Sequence, residues 1–368
     1  MAISTLIDQT IAGITTLDEI SMDSARSRQD TLTKPLGSLG RLEALSVQLA
    51  GIFANPTPEI RRKCVMIAAG DHGVVAEGVS AYPQEVTPQM VLNFLSGGAA
   101  INVLARHVSS EIVVIDAGVA ADLEPHPRLT SEKIGKGTNN FAVGPAMTNQ
   151  QAIQCLEVGI KAATGEIGLG TDLIACGEMG IGNTTSSSAI TAVITGSDPN
   201  ITTGRGTGLE DEGLSHKVEV IRGAIKLNNA DPSDGLDVLT KLGGFEIGVL
   251  SGIMLGAAAN HKPVLVDGFI SGAAALIAWR LSALAVNYFI SAHRSVEPGH
   301  SVGLEAMGIS PILSMDMRLG EGTGAALAMP IVEAAAKCLS QMSTFAQAGV
   351  SERNEGDDEV SNCGSRSS

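Results

Sequence analysis

Aromatic residues make up only 3% of this 368-residue chain, with one Trp and two Tyr. An interior so poor in large flat side chains must be filled by aliphatic and small residues, and 43 glycines point to many close backbone approaches. No uninterrupted run of about 18 apolar residues occurs, so no membrane-spanning helix is expected. The five cysteines, Cys64, Cys155, Cys176, Cys338 and Cys363, are odd in number, widely spaced and without a CxxC pair, which argues against a disulfide framework or a zinc site. Basic residues are scattered and the net charge is −15, so nucleic acid is a poor partner. The first twenty residues lack a basic start followed by a continuous apolar block; no signal peptide is read, and a reducing, cytoplasmic setting fits the free thiols.

Several chemical signatures are missing as well. There is no GxxxxGK[ST] and no GxGxxG opening a helix straight after a strand, which removes the phosphate-binding loop and the dinucleotide fingerprint. HExxH and HxH do not occur, so no zinc motif is expected.

What the chain does have is alternation. Short β-branched runs ending in Gly or Asp, at 63–69, 111–117, 172–177, 263–268 and 286–292, are separated by helical patterns near 85–107, 149–163, 185–195, 214–227, 245–258, 270–284 and 324–345. That pattern predicts an α/β fold with a parallel sheet covered by helices. Ligands in such sheets sit beyond the carboxyl ends of the strands, where this chain carries Asp71 and His72, Asp116, Glu178, Asp267, and His293 with Ser295. We expect residues 61–304 to form this domain, 1–60 with about 305–350 a smaller helical part, and 351–368 a disordered polar tail.

Three glycine-rich loops stand out: GEMGIGNTTSSSAI (177–190), TTGRGTGLEDEGLSHK (202–217) and LGEGTGAA (319–326). The first follows a strand and runs into a Thr/Ser-rich helix start, an arrangement that aims free N–H groups at an anion such as phosphate; a plain turn with Thr184 or Thr185 as helix cap is the alternative. Lys217 could add a positive charge, although its position alone reads as a solvated lysine. Asp267, in PVLVDG, is not followed by a second acid, so no magnesium cluster is implied. Glu321 stands alone between Gly320 and Gly322, either as a helix-start acid favoured by the dipole or as a base in an apolar pocket.

Taken together, TKPLGSLGRLE (33–43), GDHGV (70–74), GPAM (144–147), GEMGIGNTT (177–185), GFEIGVLSGIMLGAA (244–258), VLVDGFIS (264–271) and RLGEGTGAALAMPIVEAA (318–335) closely resemble the nicotinate-nucleotide:dimethylbenzimidazole phosphoribosyltransferase family, the CobT family of cobamide lower-ligand synthesis. The resemblance spans roughly residues 30 to 340. It implies a Rossmann-like parallel sheet with a smaller helical domain, a homodimer, no cofactor and no metal. It also implies transfer of phosphoribose from nicotinate mononucleotide to 5,6-dimethylbenzimidazole, giving α-ribazole 5′-phosphate and nicotinate.

By this resemblance Glu321 falls on the general base. Glu178, Gly180, Gly206, Lys217 and Ser295 fall on positions around the donor nucleotide, and Asp267 joins them as a substrate-binding residue. The segment SAYPQEVTPQM (80–90), with Tyr82, Pro83 and Met90, falls on the wall that holds the incoming base, to which Met179 and Leu319 add apolar surface; Gly320 and Gly322 would let the main chain approach its ring. Met90 stands where a glutamine is common in the family and Tyr82 where a smaller residue is common. The same residues leave open transfer to adenine, another benzimidazole or a phenol. A nucleotide-binding sensor without chemistry and a metal-dependent hydrolase around Asp71, His72 and His293 are the readings of other classes.

Overall fold

The computed structural model describes residues 4–351. Six strands, β1 Lys63–Gly70, β2 Glu111–Gly118, β3 Leu129–Ser131, β4 Leu173–Met179, β5 Val264–Val266 and β6 Phe289–Ser291, form one sheet in the order β3-β2-β1-β4-β5-β6. Every neighbouring pair is parallel. The chain order reverses between β1 and β4, and that switch point is where such a sheet leaves a crevice. Two further short strands, β7 His293–Arg294 and β8 Leu313–Ser314, pair beside it.

Both faces of the sheet are covered, and the central strands show why. In β1 the side chains of Cys64, Met66 and Ala68 join one apolar cluster while Val65, Ile67 and Ala69 join another, the period of two that a strand imposes. Helices Asn149–Gly168, Phe245–Ala259 and Phe269–Leu281 cover the first face; Val86–Ser96, Ala100–His107 and Thr323–Gln341 cover the second. The amino-terminal helices Glu19–Thr31 and Arg41–Phe53 pack on Thr323–Gln341. Arg28 donates to the Leu339 carbonyl at 2.6 Å, capping the end of that helix.

The sheet and its flanking helices follow the sequence pattern, with local departures. The single helix read over 85–107 is two, because Gly97 takes a φ of +83° and ends the first. The strand read from 286 begins at Phe289, the residues before it forming a short 3-10 turn. β3, three residues at the sheet edge, and helices Gly235–Leu242 and Pro298–Met307 were not foreseen. The expected tail, 351–368, lies apart from Ser351 outside the described residues, as does Cys363.

Glycine does in this core what aromatics do in others. Along Phe245–Ala259, Gly248, Gly252 and Gly256 recur every fourth residue on the face that meets Asn149–Gly168. A Cβ at Gly248 would sit 2.6 Å from Cys155 Cβ, and one at Gly252 would collide with the Leu156 carbonyl. From the other side, a Cβ at Gly159 would lie 2.6 Å from the Ile253 nitrogen and would strike the Val249 carbonyl. The two backbones touch directly, so no side chain fits between them.

Gly159→Ala therefore sets two effects against each other: about 1 kcal/mol of gained helix propensity and the larger strain of forcing two backbones apart. We expect a net loss of about 1–3 kcal/mol, read as a lower urea midpoint at unchanged slope.

Candidate active site

A cavity of about 630 Å3 opens beyond the carboxyl ends of β4 and β5, beside the switch point. Besides Glu297, three acids lie in its wall, each on a different element. Glu178 is the sixth residue of β4, Asp267 follows β5, and Glu321 precedes helix Thr323–Gln341.

All three carboxyls are buried, and their pKa values are pushed up chiefly by the loss of water around them. Glu178 reaches about 8, raised further by the charges of Asp267 and Glu246 and opposed by the Asn183 amide that donates to its Oε2. Asp267 reaches about 7, held down by main-chain N–H groups of the next helix start, including Ala325 at 2.7 Å. Glu321 is also raised, against one N–H from Ile101 at 3.2 Å to its Oε2. Its Oε1 accepts no hydrogen bond from the described residues, so it has an oxygen to offer.

The turn that carries Glu321 is built from three consecutive left-handed residues, Gly320 (φ +84°), Glu321 (φ +61°) and Gly322 (φ +89°). Any side chain at Gly320 would overlap the Glu178 carboxylate, and one at Gly322 would lie 2.8 Å from Val65 Cγ1. Gly320 thus lets the main chain meet a neighbouring acid, while Gly322 packs onto the sheet, away from the cavity.

Across the cavity is an anion seat. Asn183 and Thr184 open helix Asn183–Thr195, whose amino terminus faces the cavity. Its N-cap is Gly182, so neither Thr184 nor Thr185 caps it. Lys217, read from position as solvated, is fully buried instead: its Nζ donates to Thr184 Oγ1 at 2.8 Å. Burial lowers its pKa to about 8, opposed by the charge of Glu297. Gly206 packs against the same pair; a Cβ there would lie 2.8 Å from Thr184 Oγ1 and 3.1 Å from Lys217 Nζ.

The remaining wall is apolar, with Val86, Met90, Met179, Phe269, Ile270 and Leu319. Tyr82, Gly180 and Ser295 also line the cavity; Pro83, Gly322 and Lys217 do not, the last standing behind Thr184 and Gly206. Sequence reading passed over Asn183, Phe269, Glu297 and Arg318. Asn183, Phe269 and Arg318 lie inside motifs already quoted, whereas nothing local marks Glu297.

The histidines have other tasks. His72 is buried with its Nε2 2.6 Å from Glu246 Oε1, and Asp71 accepts from the Ala120 N–H at 2.7 Å. His293 lies 3.9 Å from Asp267, its pKa lowered by burial. His300 accepts the Ser295 N–H at 3.0 Å through Nδ1 and is held neutral by burial, with a pKa near 3. Among the described residues no group of three or more His, Cys, Asp or Glu is arranged to hold a metal.

A family model described as phosphoribosyltransferase matches residues 14–350. The chain is 56% identical over 350 residues to the nicotinate-nucleotide–dimethylbenzimidazole phosphoribosyltransferase of a Roseiflexus species, covering 95% of this chain and 99% of that protein. Identity to the protein of the same name from Desulforamulus reducens is 52%, over 94% of this chain and 99% of that one. The crystal structure of CobT from Thermus thermophilus superposes with a TM-score of 0.88 at 46% identity, covering 91% of this chain and all of the other.

A carboxyl whose folded pKa is raised holds a proton that the unfolded chain has released, so it costs stability as pH climbs from the unfolded value toward the folded one. Glu178, raised from 4.5 to about 8, acts in that window. Glu178→Gln should gain on the parent, by on the order of 1–3 kcal/mol between pH 5 and pH 9. Urea denaturation at both pH values measures it.

Proposed function

Because the chain belongs to the nicotinate-nucleotide:dimethylbenzimidazole phosphoribosyltransferase family, we propose that it moves phosphoribose from nicotinate mononucleotide to 5,6-dimethylbenzimidazole, forming α-ribazole 5′-phosphate and nicotinate. The observation that carries the reading is one cavity holding a buried carboxylate with a free oxygen, Glu321, and an anion seat made by Thr184, Gly206 and Lys217.

One benzimidazole nitrogen attacks C1′ with its lone pair. The bond from C1′ to the pyridinium nitrogen breaks, and nicotinate leaves with that electron pair, its ring nitrogen neutral. Attack opposite the leaving group turns a β-linked donor into an α-linked product. The second benzimidazole nitrogen gives its proton to Glu321 as positive charge develops on the ring. A carboxyl raised by burial is better matched to that proton than an exposed one. Lys217 and the helix start at Asn183 hold the single phosphate, which needs neither a phosphate-binding loop nor paired acids with magnesium. Glu178, Asp267, Gly180 and Ser295 lie where they meet the ribose and the leaving base. Tyr82, Met90, Met179 and Leu319 flank the incoming base, with Pro83 shaping that segment, while Gly320 and Gly322 set the turn that presents Glu321.

The reaction belongs in the cytoplasm, where its nucleotide donor is made. No helix among the described residues is long and apolar enough to cross a membrane. A homodimer is the proposed assembly, supported by large apolar side chains left exposed on consecutive helices, Leu92 and Val103. Sedimentation should give twice the chain mass; a monomer at micromolar concentration would refute it.

The purified protein, given nicotinate mononucleotide and an equimolar pool of 5,6-dimethylbenzimidazole, benzimidazole, adenine and a phenol, should release nicotinate and yield mainly the dimethylbenzimidazole product by mass. Tight donor binding without nicotinate release would favour a sensor instead. Glu321→Gln should lower kcat by about 10²–10⁴-fold and remove the acid limb of the pH profile, which lies above the ordinary carboxylate range. Near-normal turnover would end the assignment.

A further inference from the structure

The glycine loop 203–208 separates the substrate cavity from a second cavity of about 660 Å3 on its outer side, and Glu297 and Arg318 line both. Its central residue is held through the two peptide groups that flank it. The Gly206 N–H donates to Glu297 Oε1 at 3.0 Å, and the Gly206 carbonyl accepts from Arg318 Nη1 at 2.7 Å.

Glu297 is an odd residue to find there. It is 6% exposed, close to a seat for a phosphate dianion, and its Oε2 has no hydrogen-bond partner. That oxygen presses on Gly204, where any side chain would overlap it. A carboxylate beside a phosphate repels it, so direct contact with the donor's phosphate does not explain its presence. Its own placement is elaborate: the Glu297 N–H donates to Ser295 Oγ at 3.3 Å, and the Ser295 N–H donates to His300 at 3.0 Å.

What the arrangement does is fix Gly206. With φ at +52°, this residue has no side chain to anchor it, yet its Cα must rest on Thr184 and Lys217. We propose that Glu297 is a positioning residue: its hydrogen bond to the Gly206 N–H holds the loop 203–208 so that Thr184 and Lys217 present a preformed seat to the donor's 5′-phosphate. Arg318, one residue before the Leu319-Gly320-Glu321 run, grips the next peptide through the Gly206 carbonyl and ties that seat to the turn carrying the base. The inference rests on the donor's being a nucleoside monophosphate.

The test separates the hydrogen bond from the charge. Glu297→Asp keeps the charge but withdraws it from Gly206; Glu297→Gln drops the charge but retains an oxygen that can accept. After a check for cooperative melting, KM for nicotinate mononucleotide should rise about tenfold or more in Glu297→Asp and less than about threefold in Glu297→Gln, since a lost hydrogen bond with its polar group left unpaired costs on the order of 1–3 kcal/mol. KM for dimethylbenzimidazole should stay within about twofold in both, because the bond acts on the phosphate seat alone. Arg318→Met, which frees the Gly206 carbonyl on the other side of the same residue, should raise the donor KM selectively and serves if Glu297→Asp fails to fold. An unchanged donor KM, a parallel rise in both KM values, or equal damage by Gln and Asp would overturn the proposal. Failure of the parent protein to turn over the donor would instead refute the transfer reaction itself.

Discussion

The site depends on a contact between two stretches of main chain. The Glu321 carbonyl lies so close to Gly177 in β4 that no Cβ fits between them. That approach presses the turn before helix Thr323–Gln341 onto the end of the sheet. It also forces a non-glycine residue into a left-handed conformation, a state that costs of order 1 kcal/mol and persists only where the surroundings over-determine it. Here they do: Gly322 packs on Val65, and Asp267 accepts from the helix start at Ala325. A mobile loop would need none of this. The turn is as rigid as the central strands it leans on, so the Glu321 carboxylate is placed before any ligand arrives.

Burying three acids around one cavity is costly, and the way each is held sorts their uses. At an effective dielectric of about 20, two like charges about 5 Å apart repel by about 3 kcal/mol, so ionising all three together is disfavoured. Asp267 commits its oxygens to the N–H groups of the Thr323–Gln341 helix start, which makes it an anchor for the turn. Glu178 is bound to Asn183 and lies against Gly320, between the turn and the anion seat. Glu321 keeps Oε1 uncommitted among the described residues, and a general base needs that freedom more than it needs any particular pKa.

Much of the scaffold was legible because its signal is periodic. The continuous apolar runs of β1 and β4 and the helical patterns between strands announce a covered parallel sheet from residue types alone. The misses share a cause, since each depends on contacts distant in sequence. β3 exists because three residues find an edge beside β2, and nothing in LTS demands it. Lys217 looks solvated in an acidic helix segment, and its burial follows only once Thr184 and Gly206 are brought beside it from 33 and 11 positions away. Glu297, in front of a proline, reads as an ordinary helix-start acid until the loop 203–208 is folded over it. Motif glycines, by contrast, were visible in the sequence but their reasons were not: Gly248, Gly252 and Gly256 seat one helix on another, and Gly320 makes room for Glu178.

The scarcity of aromatic residues bears on how a flat base is recognised. The apolar part of the cavity wall includes Val86, Met90, Met179 and Leu319, with Phe269 and Tyr82 its aromatic rings. Aliphatic and thioether faces hold a ring by dispersion and by excluding water, and methionine adapts to several outlines. Such a wall separates bases that differ by a methyl group by only about 1–3 kcal/mol. A base without the N–H that faces Glu321 does worse, since it leaves a buried carboxylate without its partner. Selectivity in this cavity is therefore graded toward ring substituents and steep toward the presence of that one donor. The asymmetry follows from setting one carboxylate with a free oxygen beside an apolar stretch of wall.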